Sequence, residues 1–239
     1  MRKKIDTFYL LSLIIIIILI TINFIFSYLI KNGIYSKNVY TKNKSPQMSI
    51  LIEVDKKQLK LINRENEKII DTYIIATGKP GSPTPLGSFK IVEKGHWGEG
   101  FGSRWIGLNV PWGKYGIHGT NKPNSIGSNV SAGCIRMNNR DVEELYSKVS
   151  NNTIVLITNG LYGPFGEGFR ELKPGDRGAD VLEVQKRLKY KGYYEGTSDG
   201  IYGETMKIAL INYLKDNDIP LTDRVTSEIY ARLGIILME

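Results

Sequence analysis

One cysteine and two histidines carry all the thiol and imidazole chemistry of this chain. Cys134 and His118 lie in a single glycine-rich stretch, His118 to Arg136, reading HGTNKPNSIGSNVSAGCIR. A thiol attacks as its thiolate, so a catalytic cysteine needs a base, an electropositive setting or a helix N-terminus. Gly133 allows an unusual turn and close approach of substrate, and Arg136 adds positive charge two residues on. A backbone amide at such a turn can also hold the oxyanion of an acyl-transfer intermediate. Taken alone, the same pair also fits a small buried thiol and a surface imidazole. The elements around it have to decide.

Composition narrows the field. A single cysteine excludes an intrachain disulfide framework and a Cys₄ or Cys₂His₂ zinc site, so no metal and no cofactor is expected. The net charge of +8 is unevenly placed: +6 over residues 1–47, +4 over 48–170 and −2 over 171–239. A nucleic-acid binder concentrates its charge in a folded domain. Here most of it flanks the uncharged segment Phe8 to Ile30, with five consecutive isoleucines at its centre. A bilayer core takes about 20 apolar residues as a helix, so 8–30 is expected to be a transmembrane anchor. Arg2, Lys3 and Lys4 would keep the short N-terminal tip cytoplasmic and export the chain beyond Ile30. No small-x-small cleavage site succeeds the segment, which argues against a removed signal peptide. Residues 31–47 read as a flexible polar stem.

The elements that must position Cys134 and His118 are mostly strands. Ser49–Val54, Gln58–Asn63 and Lys68–Ala76 are apolar or alternating runs separated by short polar breaks, a meander. Gly78 to Gly87 is dense in proline and glycine and reads as turns, with a strand over Ser88–Val92 after it. Residues 94–117 interleave glycines with Trp97, Phe101, Trp105, Trp112 and Tyr115. Trp105 reads as a core residue, while the rest fits either a small aromatic core or a glycine-hinged lid lined by Trp97, Phe101 or Trp112. Asn138–Ser150 is expected as a helix with Val142, Leu145, Tyr146 and Val149 on one face, and Thr153–Thr158 as a last strand.

His118-Gly119-Thr120 followed by Ser131-x-Gly133-Cys134-Ile135-Arg136-Met137 resembles the signature of the L,D-transpeptidase catalytic domain of YkuD type. The resemblance extends to Val54, Asp55 and Leu59, then Thr77-Gly78-Lys79-Pro80 and Thr84-Pro85-x-Gly87-x-Phe89, and covers residues 48–159. It implies a mainly β catalytic domain, a β-sandwich with a short helix, that cross-links peptidoglycan stem peptides through a cysteine thioester. Carried over, Cys134 is the nucleophile and His118 its base, oriented by the Gly119 carbonyl. Gly133 and Cys134 supply the oxyanion amides, and Arg136, Ser131, Thr120, Trp97 and Tyr115 are candidates for substrate contact. Many members carry a second histidine where this chain has Ala132, and His96 lies too far upstream to fill that slot. Sortases place their histidine much further ahead of the cysteine, and NlpC/P60-type hydrolases reverse the order.

Asn159–Phe169, with four glycines and a proline, reads as a linker over 160–170. The final segment, 171–239, carries Leu172-Lys173-x-Gly175-Asp176-x-Gly178-x-x-Val181-x-x-Val184-Gln185-x-x-Leu188. Asp180 is expected to cap a helix with Glu183 three residues on, Val181, Val184 and Leu188 sharing its buried face. A second helix, Glu204–Asn217, would bury Ile208, Ile211 and Leu214, and Thr226 would cap a third ending at Gly234. This small all-α unit resembles a PGBD-type peptidoglycan-binding domain, with Tyr193, Tyr194 and Tyr202 as packing or ligand-contacting aromatics. The expectation is a single-pass membrane-anchored transpeptidase acting in the wall space on stem peptides and glycan, with no nucleic-acid partner. An L,D-carboxypeptidase and an inactive wall-binding scaffold are the alternatives.

Overall fold

The computed structural model describes residues 2–31 and 47–237, and two compact units divide after Ser45. In the first, α1 (Arg2–Lys31) is a continuous helix. Its polar side chains turn back on its own backbone, Thr21 Oγ1 donating to Ile18 O at 2.8 Å and Asn23 Nδ2 to Leu19 O at 2.9 Å. The transmembrane anchor expected over 8–30 is not supported, because among the described residues no helix is long and apolar enough to cross a membrane. The stem expected over 31–47 lies, but for its two ends, outside the described residues.

The second unit begins with the expected meander. β1 (Met48–Glu53), β2 (Gln58–Asn63) and β3 (Lys68–Ile74) pair antiparallel in sequence order. The stretch His118 to Arg136 is framed by β4 (Thr77–Gly78), β5 (Gly87–Gly95), β6 (Trp105–Leu108), β7 (Tyr115–His118), β8 (Asn129–Ser131), β9 (Ile135–Arg136), α2 (Asn139–Lys148) and β10 (Ile154–Thr158). Eight strands run in the order β3-β2-β1-β10-β5-β6-β7-β9, and β4 pairs with β8 separately. β5 joins the two arms. Gly87–Lys90 pair with β10, Ile91–Gly95 pair with β6, and the register shifts between Ile91 and Glu93. A bulge of this kind bends a strand so that it can serve two sheet directions.

Both arms feed one core. Alternation along β1 buries Ile50 and Ile52, which face Leu61 and Leu59 on β2 and lie beside Val155 and Ile157 on β10. Ile117 and Ile135 come from the other arm, and Val142, Leu145 and Val149 of α2 and its C-terminus close the layer. Truncating any such isoleucine or leucine to alanine costs about 2–5 kcal/mol.

The C-terminal lobe is α3 (Ala179–Tyr190), α4 (Glu204–Asp216) and α5 (Ser227–Arg232) around a second core. Val181, Val184 and Leu188 are fully buried as their spacing predicts. α4 is rotated from expectation: it buries Met206, Ala209, Leu210, Tyr213 and Leu214, leaving Ile208 about half exposed. Asp180 does not cap α3, which starts after Gly178. Its carboxylate instead lies within the first turn and accepts from Arg170, Nε to Oδ2 at 2.6 Å and Nη2 to Oδ1 at 3.1 Å. Thr226 sits at the N-cap position of α5 without a side-chain cap bond. Tyr194 and Tyr202 are buried, their hydroxyls donating to Thr197 O and Asp223 O, while Tyr193 meets Tyr213 edge-on at 5.3 Å.

The two lobes of this unit are joined by packing. The stretch expected as a linker is a folded strap: Phe165 and Phe169 pack on Tyr230, Phe169 stacking at 4.3 Å. Ala179, Leu182 and Ile201 of the helical lobe pack against the β core. Trp112 is buried where the lobes meet, edge-on to Phe89 at 5.8 Å and over Gly200, where a Cβ would come 2.5 Å from its ring.

Candidate active site

His118 ends β7, and the parallel pairing of β7 with β9 sets it level with Arg136. Met137 N donates to His118 O at 2.8 Å, fixing this end of the ladder. Cys134 lies two residues before Arg136, and its sulfur meets the Gly116 backbone. Alternation along β7 sends Gly116 and His118 to one side. The register thus sets Cys134 level with Gly116, two residues before His118 on the neighbouring strand.

The imidazole is almost wholly buried. Its Nδ1 lies 2.6 Å from Gly119 O, with the N–H donating to the carbonyl. Burial pushes the ring's pKa below its ordinary value, and the Arg136 charge adds to this, against the Gly119 and Phe101 backbone groups that favour imidazolium. Burial likewise pushes the Cys134 thiol up, opposed by the Gly116 backbone and Arg136. At neutral pH the resting pair is therefore thiol and neutral imidazole. The Gly119 and Phe101 backbone groups wait to stabilise the charge that forms once the ring takes a proton.

The loop before the thiol is tightly cross-braced. Ser131 is buried; its Oγ accepts from Gly133 N at 3.0 Å and donates to Cys134 O at 2.6 Å. The Gly133 amide is thus engaged, and of the two amides expected to serve an oxyanion only that of Cys134 is not committed to Ser131. Gly133 holds φ +112°, and a Cβ there would lie 2.6 Å from Tyr115 Cε1. Thr120 is also buried, its N–H donating to Asn139 and its hydroxyl accepting from Lys122 N at 3.1 Å. Arg136 exchanges backbone hydrogen bonds with Ala76, both 2.9 Å.

Over His118 lies an aromatic stack. Trp105 stacks on His118 at 5.8 Å and on Trp97 at 4.3 Å, Phe101 meets all three rings edge-on, and the Lys114 ammonium sits 3.5 Å over Trp97. Trp105 donates from Nε1 to Glu93 Oε1 at 2.8 Å. Phe101 thus lies against the histidine, with Trp97 reaching it only through Phe101 and Trp105, while Trp112 packs between the lobes. His96 is exposed and hydrogen-bonds Arg104. Among the described residues no group of three or more His, Cys, Asp or Glu is placed to hold a metal ion.

Asn139 is the functional residue that pattern reading missed. Its Oδ1 accepts from both Ser103 N and Thr120 N at 3.1 Å, tying the segment under Trp97 and Phe101 to the segment after His118. Cβ atoms at Gly102 or Gly119 would lie 2.2 Å from that oxygen, so glycine is needed at both positions. The only sequence signal was two glycines far from an asparagine at a helix start.

Residues 49–157 match the family model of the L,D-transpeptidase catalytic domain, and residues 177–233 match the model described as "Putative peptidoglycan binding domain". Among similar proteins are two named "Putative L,D-transpeptidase YkuD". That of Bacillus licheniformis is 47% identical over 110 residues, 46% of this chain and 64% of its own length. That of Bacillus subtilis is 50% identical over 93 residues, 38% of this chain and 56% of its own length. The chain thus spans less than two thirds of the curated relatives it matches. An L,D-transpeptidase from Mycobacterium smegmatis of solved structure aligns at 21% identity over 47% of this chain and 59% of that one, with a TM-score of 0.41. A likeness that slight carries no weight here.

Proposed function

We propose, from the match of residues 49–157 to the L,D-transpeptidase catalytic domain model and of 177–233 to a peptidoglycan-binding model, that this chain cross-links peptidoglycan stem peptides through an acyl-enzyme on Cys134. The observation that supports this reading is the register of β7 with β9, which brings the strand end bearing a buried imidazole alongside the loop bearing a half-buried thiol. The reaction is a two-step acyl transfer. Cys134 sulfur adds to the carbonyl joining an L-centre to the terminal D-alanine of a tetrapeptide stem, and His118 takes the thiol proton. The Cys134 amide holds the oxyanion. The intermediate collapses to a thioester as His118 returns the proton to the departing D-alanine amine. The side-chain amine of a diamino acid on a second stem then attacks the thioester and gives its proton to His118, which returns it to the departing Cys134 sulfur, leaving a cross-linked dimer and the free thiol.

The helical domain raises the local concentration of polymer, an effective-concentration gain that needs no new chemistry. The reading places the enzyme where its polymer is, in the wall space. Incubation of the chain with a disaccharide-tetrapeptide tests it: D-alanine and cross-linked dimers are expected, and neither from Cys134→Ala. Tripeptide without dimer would mean that water resolves the thioester and would replace transpeptidation with carboxypeptidation.

A further inference from the structure

Behind the catalytic loop, on the side of Tyr115 and Ala132, the two lobes enclose a cleft of about 1210 Å³. One wall is the turn-rich segment 78–86, and the other is the strap and the start of the helical lobe, 165–180. Its volume exceeds the roughly 300–1,000 Å³ of small-molecule pockets, which suits a peptide or a polymer segment. Trp112 and Gly200 lock the lobes together at its base, so the cleft is built in before any ligand arrives.

The cleft is continuous with the reactive loop. Tyr115 lines it and packs on Gly133, the residue before the thiol. On the catalytic side, Lys79 N donates to Ser131 O at 3.0 Å, fixing that lysine to the same loop. On the helical side, Arg177 is close enough to Tyr115 for its charge to act on the phenol. Arg177 is held at its backbone, its carbonyl accepting from Arg170 Nη2 at 2.9 Å and its strand bridging to Ile201.

Four acids and four bases line the cleft, and what distinguishes them is position: Asp55, Glu167 and Lys57 are in no salt bridge among the described residues, but only Lys79 and Arg177 are tied to the reactive loop, through Ser131 and Tyr115. Asp176 and Asp180 are both spent on Arg170, at 3.6 and 2.6 Å. Asp55 shares the β1–β2 turn with Lys57, and Glu167 belongs to the strap beside Gly160. Lys79 and Arg177 are exposed, and among the described residues neither is in a salt bridge. Two unpaired cations thus flank the loop that carries the thiol.

We propose that this cleft is a binding site for the carboxylate-terminated stem peptide and that Arg177, contributed by the helical lobe, holds the peptide's terminal carboxylate together with Lys79. The active site is then composite: the wall-binding lobe supplies a specificity residue as well as affinity for polymer. A guanidinium suits this task because its planar fork matches a carboxylate. This inference rests on the transpeptidase reading for the identity of the ligand.

The test separates binding from turnover. The full chain carrying Cys134→Ala is titrated calorimetrically with a tetrapeptide stem bearing a free terminal carboxylate, and with the same peptide as its C-terminal amide. Arg177→Gln should weaken the free acid about tenfold or more, the loss of a charge-assisted hydrogen bond, and Arg177→Lys should restore part of it. The amide should bind as weakly as the free acid binds Arg177→Gln, with no further loss on mutation. Equal losses on acid and amide, or none on either, would overturn the proposal, as would absence of stem-peptide binding. If this pattern holds while the unmutated chain forms no acyl-enzyme, the cleft stands and the transpeptidase reading falls.

Discussion

Asn139 Oδ1 lies 3.1 Å from Thr120 N, so the first turn of α2 holds the backbone just past His118. The same oxygen holds Ser103 N, and one side chain thereby ties the backbone past the His118 imidazole to the aromatic segment that packs on it. The arrangement asks only for an acceptor. Asn139→Asp should therefore retain most activity, whereas Asn139→Ala orphans two amides at about 1–3 kcal/mol each. Acylation of Cys134 in Asn139→Ala is expected to fall by about 10–100-fold through misplacement of His118. Stopped-flow acylation rates and thermal melts of both variants check this, and equal damage in Asn139→Asp would refute the acceptor role.

Gly133→Ala combines a positive-φ position with a Cβ 2.6 Å from the Tyr115 ring. Strain of this kind costs about 1–3 kcal/mol, and relief requires the thiol loop to move. Acylation should drop by about 100-fold with a melting temperature lowered by several degrees, about what 1–3 kcal/mol gives in a domain of this size. Normal acylation in a folded Gly133→Ala chain would show that the loop's tight approach to Tyr115 is dispensable.

The directions of the two pKa shifts predict how the reaction depends on pH. His118 is lowered from 6.5, so it stays an unprotonated base through neutrality, and its acid limb should fall below 6.5. Cys134 is raised from 9.0, so thiolate builds up only above that value. Iodoacetamide, which needs thiolate, should alkylate Cys134 slowly at pH 7 and with a midpoint above 9, while acylation by substrate is already at its plateau at pH 7. Arg136 lowers both values, so Arg136→Gln should move both limbs upward. Parallel profiles for alkylation and acylation would instead indicate a preformed thiolate.

Trp112 ties the lobes, and its removal should uncouple them. Trp112→Ala is expected to cost about 3–5 kcal/mol and to split a single calorimetric transition into two. Gly200→Ala, with φ +71° and a Cβ 2.5 Å from the Trp112 ring, should act in the same direction. One unchanged transition in both variants would show that the lobes are not coupled through this contact.

What the sequence made legible was local. The buried faces of α2 and α3, the β1–β2–β3 meander and the Cys134–His118 spacing all arise from periodicity and motif, because near neighbours determine them. The misses were tertiary. Ile208 looked like core by spacing, but α4 turns Met206, Leu210 and Tyr213 inward to meet α3 and the strap. Asp180 looked like a cap until Arg170, ten residues away, claimed its carboxylate. Trp112 stayed open between core and lid, and the strap read as a linker, because glycine-rich composition marks turns without saying what packs on them. Asn139 was invisible because its partners lie 36 and 19 residues away.

The most direct test of the central claim is intact-protein mass spectrometry of the full chain quenched with acid after brief exposure to a disaccharide-tetrapeptide. The account predicts an adduct of the substrate minus D-alanine, mapped to Cys134 by digestion, slow to form in His118→Ala and absent in Cys134→Ala. Cross-linked product from Cys134→Ala, or full-rate adduct formation in His118→Ala, would contradict it.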